Sequence, residues 1–295
     1  MNESVELYLE KQGLVRAAID AQACPFFFHN GLFLLSRLLN ATGWSLTEVR
    51  GGLLLDAAGE WSIVLPTTTD RDAYTEAVLG VLRPGRPVLR LPSWLIEREE
   101  VRARGLAQPL WPDFVCRTAE MQTMEGKRLK GIRQRLTRLE RTGRVSVITL
   151  GPEHVEEAVR IARLWHHQRA QDLGRIYLFR ENIWLFEHWT WVASRLEGAL
   201  GKGALVDGQL VAVNLSCPLS ATCWVCYTER YDRECPTYCN QLAFREACRG
   251  FDAVEMPFVN DGPAQVSYEP GVDNLAAFKH RLAAFELEPY QLSAP

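Results

Sequence analysis

The run GALVDGQLVAVNLSCPL, residues 203–219, limits what this chain can fold into more than any other stretch. Two apolar, β-branched segments flank Asp207-Gly208, a pair that accepts the positive φ angles of a tight hairpin turn. A third such segment, ATCWVCYTER, follows directly, so three sequential antiparallel strands form the middle of a sheet. PTYCNQLAFREACRG then reads as a helix, with Pro236 at its first position and Gly250 just past its end. AVEMPFV is the next strand, and NLAAFKHRLAAF the last helix. Upstream, VSVITL reads as a strand, PEHVEEAVRIARLWHHQRAQ as a helix opening on Pro and acids, and ENIWLFEHWTWVASRLEG as one aromatic helix. The second half therefore runs β-α-α-β-β-β-α-β-α.

That order, with a mixed sheet and a helix crossing between late strands, is the outline of a GNAT-type acyltransferase fold. The first half resembles a degenerate copy. Helical patterns in VELYLEKQGLVRAAI and GLFLLSRLLNATG precede the strand-rich run SLTEVRGGLLLDAAGEWSIVLP. DRDAYTEAVLGVLRPG is a helix with Asp70 as its N-cap, RPVLRLPS a strand, LPSWLIEREEVRARG a helix and FVCRTAEM a strand. The expected fold is α/β (α+β): two tandem GNAT-like domains with mixed sheets flanked by helices. The expected boundaries are residues 1–125, a basic linker helix at 126–145, and 146–295.

With 295 residues a core is easily built, and a net charge of -3 excludes a polycation, so any nucleic-acid affinity must be local. Apolar runs such as GLFLLSRLLNA are interrupted by Arg or Asn well short of the roughly 18 residues that a membrane span needs. MNESVELYLEKQ has no signal-peptide core, and the eight cysteines read as reduced thiols of a cytoplasmic protein. The local charge is plain: residues 126–144, GKRLKGIRQRLTRLERTGR, hold eight Lys or Arg and one acid. Leu129, Ile132, Leu136 and Leu139 form one helix face, and Lys127, Arg128, Lys130, Arg133, Arg135, Arg138 and Arg141 cover the rest. Such a helix is suited to phosphate contacts; alternatively it is a solvated linker paired to Glu97, Glu99 and Glu100.

Other residues invite chemistry and meet a plainer alternative. Cys223-x2-Cys226 and Cys235-x3-Cys239 lack zinc geometry, because residues three apart on a strand point to opposite faces, so buried thiols are expected. His166 or His167 could serve as a base, and Trp184, Phe186, Trp189 and Trp191 pack a helix or line a cleft. A GNAT fold that uses coenzyme A cradles its pyrophosphate on a Gly-rich strand–helix loop. The corresponding connection here, TERYDRECPTY, has no Gly between Gly208 and Gly250, so a CoA thioester is disfavoured and no cofactor is expected.

Residues 258–282, FVNDGPAQVSYEPGVDNLAAFKHRL, end a strand on Asn260-Asp261-Gly262-Pro263, which reads as a turn or as the wall of a site. Leu275, Phe278, Leu282 and Phe285 form an apolar helix face, and Lys279 lies beside it, as a snorkelling surface residue or as a ligand for an anion. FVCRTAEMQTMEGKRLKGIRQRLTRLER resembles a segment in the phosphatidylglycerol lysyltransferase catalytic domains, where a strand leads through a Gly-Lys pair, here Gly126-Lys127, into a basic helix. The helix TYCNQLAFREAC, the strand ending at Asn260, and the Gly-x-Asp-x-Leu-x-x-Phe-Lys run from Gly271 to Lys279 extend the resemblance from PFFFHNGLF onward. It implies two tandem GNAT-like domains and an aminoacyl group taken from aminoacyl-tRNA, as in soluble relatives of antibiotic biosynthesis.

The resemblance places Asn260, Asp261 and Lys279 at the transfer site as catalytic candidates. It puts Asn240 at the helix amide, and Tyr227, Asp273, Arg281 and Tyr268 complete the candidate substrate-binding set. Lys127, Arg128, Lys130, Arg133, Arg135 and Arg138 are the candidate tRNA-binding set. The lipid enzymes carry a membrane-embedded region that this sequence lacks, so the expected acceptor is a soluble amine, hydroxyl or peptide in specialised metabolism. The base is Asp261, a His or a water. The competing expectations are an N-acyltransferase using acyl-CoA or a carrier-protein thioester, and a non-catalytic module that docks on RNA.

Overall fold

The computed structural model describes residues 2–40, 42–173, 180–235, 238–263 and 273–295. Helices α1 (Glu3–Ala21) and α2 (Gly31–Asn40) open the chain. Asn2 caps α1 by accepting a hydrogen bond from the Ser4 amide at 3.0 Å, and Glu3 and Glu6 complement the helix dipole. A meander of β1 (Trp44–Val49), β2 (Gly52–Ala57) and β3 (Trp61–Pro66) leads to α3 (Arg71–Val81). Asp70 caps α3 as its sequence predicts, accepting from the Asp72 amide at 2.8 Å. β4 (Val88–Leu91) lies parallel to β3. The helix expected in LPSWLIEREEVRARG is two short pieces, α4 (Ser93–Ile96) and α5 (Glu99–Arg102), followed by β5 (Leu106–Pro109).

The second set of elements repeats this plan. β6 (Asp113–Arg117) ends earlier than FVCRTAEM suggests, because Thr118 to Thr123 form α6. The basic helix α7 (Lys130–Glu140) precedes β7 (Val145–Thr149) and α8 (Val155–Leu173). The expected single aromatic helix divides at His188 into α9 (Arg180–Glu187) and α10 (Trp189–Arg195). β8 (Leu200–Val206), β9 (Gln209–Pro218) and β10 (Cys223–Tyr231) form the second meander. The β8–β9 turn is the expected pair: Asp207 and Gly208 have φ of 50° and 81°. α11 (Cys239–Arg249) crosses to β11 (Phe258–Pro263), which runs parallel to β10. It starts later than Pro236 implies, with Tyr238 at φ 83° before it. α12 (Asp273–Leu282), β12 (Phe285–Leu287) and β13 (Tyr290–Ser293) close the chain, so Phe285 belongs to a strand rather than to the last helix.

Among the described residues the strands form two mixed sheets, ordered β1-β2-β3-β4-β13-β5 and β12-β6-β11-β10-β9-β8-β7. Each unit is a three-strand antiparallel meander, a crossover helix and a parallel fourth strand, which is the expected tandem GNAT-like architecture. Beyond the fourth strand the units trade strands. β6, which precedes residue 125, sits in the second sheet, and β13, the last strand, sits in the first. The second sheet separates two packed layers. On one side α8, α9 and α2 bury Ile161, Phe186 and Leu34 against it; on the other, α7 and α11 bury Leu136, Leu242 and Phe244. Helices α8 and α11 both cover strands that are apolar on both faces, as buried mixed sheets require. No helix among the described residues is long and apolar enough to cross a membrane.

Candidate active site

Strands β10 and β11 stay paired only from Cys223↔Phe258 to Val225↔Asn260. Beyond that, β10 follows β9 to Tyr231 while β11 follows β6, and a crevice opens at the carboxyl ends of two parallel strands. A β-bulge lies at this point. Across from β9, Cys226 pairs with Ser216 and Thr228 with Leu215, so Tyr227 is the extra residue. Before the bulge, Cys223 and Val225 face the α8 layer while Trp224 and Cys226 face α11. After it the alternation is reversed: Arg230 stacks over Trp165 of α8 at 4.2 Å, and Tyr231 packs on the α11 side. The bulge thereby turns Glu229 toward α11, into a cleft that strict alternation would have denied it.

That cleft encloses about 340 Å³ including its open mouth, between Met124, Ile132, Glu229, Gln241, Phe244, Asp261, Phe278 and Leu282. Burial pushes the Glu229 carboxyl up to about 8, and the charge of Asp261 pushes in the same direction. Lys279, a hydrogen bond with Asn214 and Arg230 oppose the shift. Asn214 is Glu229's register partner on β9, and its own amide oxygen accepts from Ser216 Oγ at 2.6 Å. Burial also raises Asp261, against the pull of Lys279. Lys279 Nζ lies 3.4 Å from Asp261 Oδ2, donates to the Asp261 carbonyl, and reaches the Gly262 carbonyl at 3.4 Å. Its three N–H groups are thus directed at the end of β11. Two acids of raised pKa with one cation can hold an ammonium or take a proton from an incoming amine.

Asn260 points the other way, since neighbouring strand residues face opposite sides. It is fully buried; its amide donates to the Pro25 carbonyl at 2.8 Å and to Asp113 Oδ2 at 3.1 Å, and it accepts from the Gly262 amide at 2.7 Å. Asp113 further accepts from the Phe27 amide at 2.6 Å and pairs with Arg90 at 3.2 Å. Asn260 therefore anchors β11 to the first unit, away from the cleft. Gly262, at φ 74°, completes this contact: a Cβ there would stand 2.7 Å from the Phe27 ring.

Tyr227 also faces the first unit, stacked on Phe27 with ring centroids 5.6 Å apart. Asn240 is half-buried in the first turn of α11, where its neighbour Gln241 lines the cleft. Arg281 is exposed and lies over Phe278 at 5.9 Å. Tyr268 and the side chain of Asp273 lie outside the described residues. His166 is on the α8 face, where burial and Arg230 lower it to about 4, and His167 is exposed. Phe186 and Trp189 are core residues, while Trp184 stacks on His188.

The apolar face of α7 is as expected: Leu129, Leu136 and Leu139 are buried, and Ile132 lines the cleft. Lys127, Lys130 and Arg138 are exposed. Arg128 pairs with Glu120, Arg133 donates to the Met124 carbonyl at 2.6 Å, and Arg135 lies 4.7 Å over Tyr238. Of the three acids expected as linker partners, Glu97, Glu99 and Glu100, Glu100 pairs with Arg98 at 2.6 Å. Glu229 is the residue that sequence reasoning missed. An acid directly after the largely apolar run CWVCYT was its signal, but only the bulge reveals its direction.

A search of curated proteins finds no match. Among solved structures, a conserved protein of unknown function from Bacteroides thetaiotaomicron VPI-5482 superposes with a TM-score of 0.78 at 15% identity, covering 100% of this chain and 99% of that one. A lysylphosphatidylglycerol synthetase C-terminal domain from Agrobacterium fabrum gives 0.67 at 11% identity, covering 99% and 92%. L-PGS from Bacillus licheniformis gives 0.63 at 15% identity, covering 100% and 92%. These likenesses establish the fold. The family model for the phosphatidylglycerol lysyltransferase C-terminal region matches residues 107–285, a span that holds β6, the basic helix and every wall of the cleft. The chain belongs to this phosphatidylglycerol lysyltransferase C-terminal family of transferases.

Proposed function

We propose that this protein moves an aminoacyl group from aminoacyl-tRNA to the amine or hydroxyl of a soluble small molecule or peptide, in the cytoplasm and in specialised metabolism. One observation carries the reading: Glu229, Asp261 and Lys279 converge where β10 and β11 part, in a cleft that shares Ile132 with the basic helix. Aminoacyl esters are already activated, so the protein must position the donor, take a proton from the acceptor and return one to the leaving group. Glu229, in the ionised form that becomes predominant above about pH 8, accepts the acceptor's proton as nitrogen or oxygen attacks the ester carbonyl. The C–O bond to the tRNA 3′-terminal ribose then breaks, and the proton passes to the departing ribose oxygen. Asp261 orients the donor's ammonium, and Lys279 holds Asp261 and the strand end in place. Lys127, Lys130 and Arg138, exposed on the same wall, contact phosphates of the tRNA end.

The glycine-free connection after β10 supports an ester donor over a CoA thioester. Single-turnover transfer from radiolabelled aminoacyl-tRNA to a pool of amines tests the proposal. Label should leave tRNA in a ribonuclease-sensitive manner, and discharge that requires added acyl-CoA would reject the reading.

A further inference from the structure

Strand β9 carries two polar side chains in an otherwise apolar layer. Val213, Leu215 and Cys217 face the α8 layer and Ala212 faces α11, so Asn214 and Ser216 also face α11. Both are fully buried. An amide sealed in such a layer costs stability unless its donors and its acceptor are used. Ser216 Oγ donates to Asn214 Oδ1 at 2.6 Å, and Asn214 Nδ2 donates to the Cys226 sulfur at 2.9 Å. The first bond fixes the amide's orientation, with its oxygen turned along β9 toward Ser216 and its nitrogen toward β10. Cys226 takes one of the two N–H groups. The other has Glu229 across the strand pair, because the bulge at Tyr227 sets Glu229 opposite Asn214 on the same face. Without the extra residue, Thr228 would stand there.

We propose that Asn214, held by Ser216, is a positioning residue that donates to the ionised Glu229 carboxylate and aims it into the cleft. Among the described residues, the charged groups around Glu229 are otherwise engaged. Lys279 of α12 is committed to Asp261 and to the carbonyls at the end of β11. Asp261 repels a second negative charge, and α11 presents the neutral Gln241 and Phe244 to the cleft. Arg230, next to Glu229 on β10, turns to Trp165 on the opposite face of the sheet. An N–H donor of fixed direction favours the carboxylate, which only accepts, over the carboxylic acid. This opposes the burial that lifts Glu229 to about 8. What the contact does for transfer rests on the proposed function; the state of the carboxyl does not.

The test is a titration of the Glu229 carboxyl by heteronuclear NMR in the full-length protein, its signal assigned by its absence in Glu229→Gln. Asn214→Leu keeps the side chain's shape and removes the donor. The Glu229 midpoint should then rise by about 1–2 pH units, the equivalent of one hydrogen bond to a charged group. Ser216→Ala removes one hydroxyl and frees the amide to turn. It should raise the midpoint by about 0.4–1 pH unit, the equivalent of one neutral hydrogen bond, and it is the deciding variant where Asn214→Leu does not fold. In transfer, the pH at which kcat/KM levels off should climb with the midpoint in each variant, a displacement that a merely structural role would not give. A Glu229 midpoint that does not rise in the folded variants overturns the proposal. The titration needs neither donor nor acceptor, so it stands whether or not the protein discharges aminoacyl-tRNA.

Discussion

A carboxyl raised to about 8 titrates where transfer assays are run, so Glu229 can be followed directly by pH. A base works in its ionised form, so kcat/KM should rise with pH and level off above about 8. Glu229→Gln should lower kcat by roughly 10²- to 10⁴-fold and abolish that rise; an unchanged profile removes Glu229 from the mechanism. Stability has the opposite sign. Between its unfolded value and about 8 the folded protein holds this proton more tightly, so Glu229's contribution is full at low pH and lost as pH climbs through about 8. Urea midpoints measured across that window should fall with rising pH by less in Glu229→Gln than in the unaltered protein. Lys279→Met should leave Asp261 without its counter-ion and cost activity even when Glu229 is intact, measured as kcat at saturating donor. Asn260 and Lys279 show how far single residues could be read. Both were marked by polarity within apolar surroundings, yet one side chain is a buried anchor and the other a clamp, and polarity alone does not separate the two.

Elements decide which side chains meet. The bulge at Tyr227 is the device that puts Glu229 in the cleft, so inserting one Ala between Thr228 and Glu229 should shift the alternation by one residue and turn Glu229 toward α8. Transfer should disappear, while the far-ultraviolet dichroism of the sheets persists; retained activity would show that the direction of Glu229 does not matter. The element order of the second half was legible because the Asp207-Gly208 turn and the apolar periodicities are local signals. The bulge was not legible, since Cys-Tyr-Thr-Glu carries no glycine or proline to mark it, and the pairing with Ser216 and Leu215 that defines it is tertiary. Helix α7 belongs to the legible part, and its charges make a separate prediction. Replacing Lys127, Lys130 and Arg138 with Ala should weaken tRNA binding and reduce the slope of log K against log salt by about 2–3. An unchanged slope in filter-binding titrations would place the tRNA elsewhere.

At the scale of the whole molecule the exchanged strands couple the two units. β6 lies between β11 and β12, and β13 lies between β4 and β5, so neither sheet is complete without a strand from the other half of the chain. A division of the chain at residue 125 takes β6 from its sheet, a consequence that no local pattern in the sequence announces. Calorimetry should show one cooperative unfolding transition; two separable transitions would contradict the coupling. Arg90 and Asp113 reinforce the junction as a buried ion pair bonded to Phe27 and Asn260. Arg90→Leu should destabilise both units together by about 3–5 kcal/mol, because it strands the Asp113 carboxylate. The most direct test of the central claim, that the cleft at the β10–β11 divergence transfers aminoacyl groups, is single-turnover discharge of a mixed radiolabelled aminoacyl-tRNA pool. The unaltered protein should move label to an amine or hydroxyl acceptor, and Glu229→Gln, at equal tRNA affinity, should not. Equal discharge by both proteins would contradict the account.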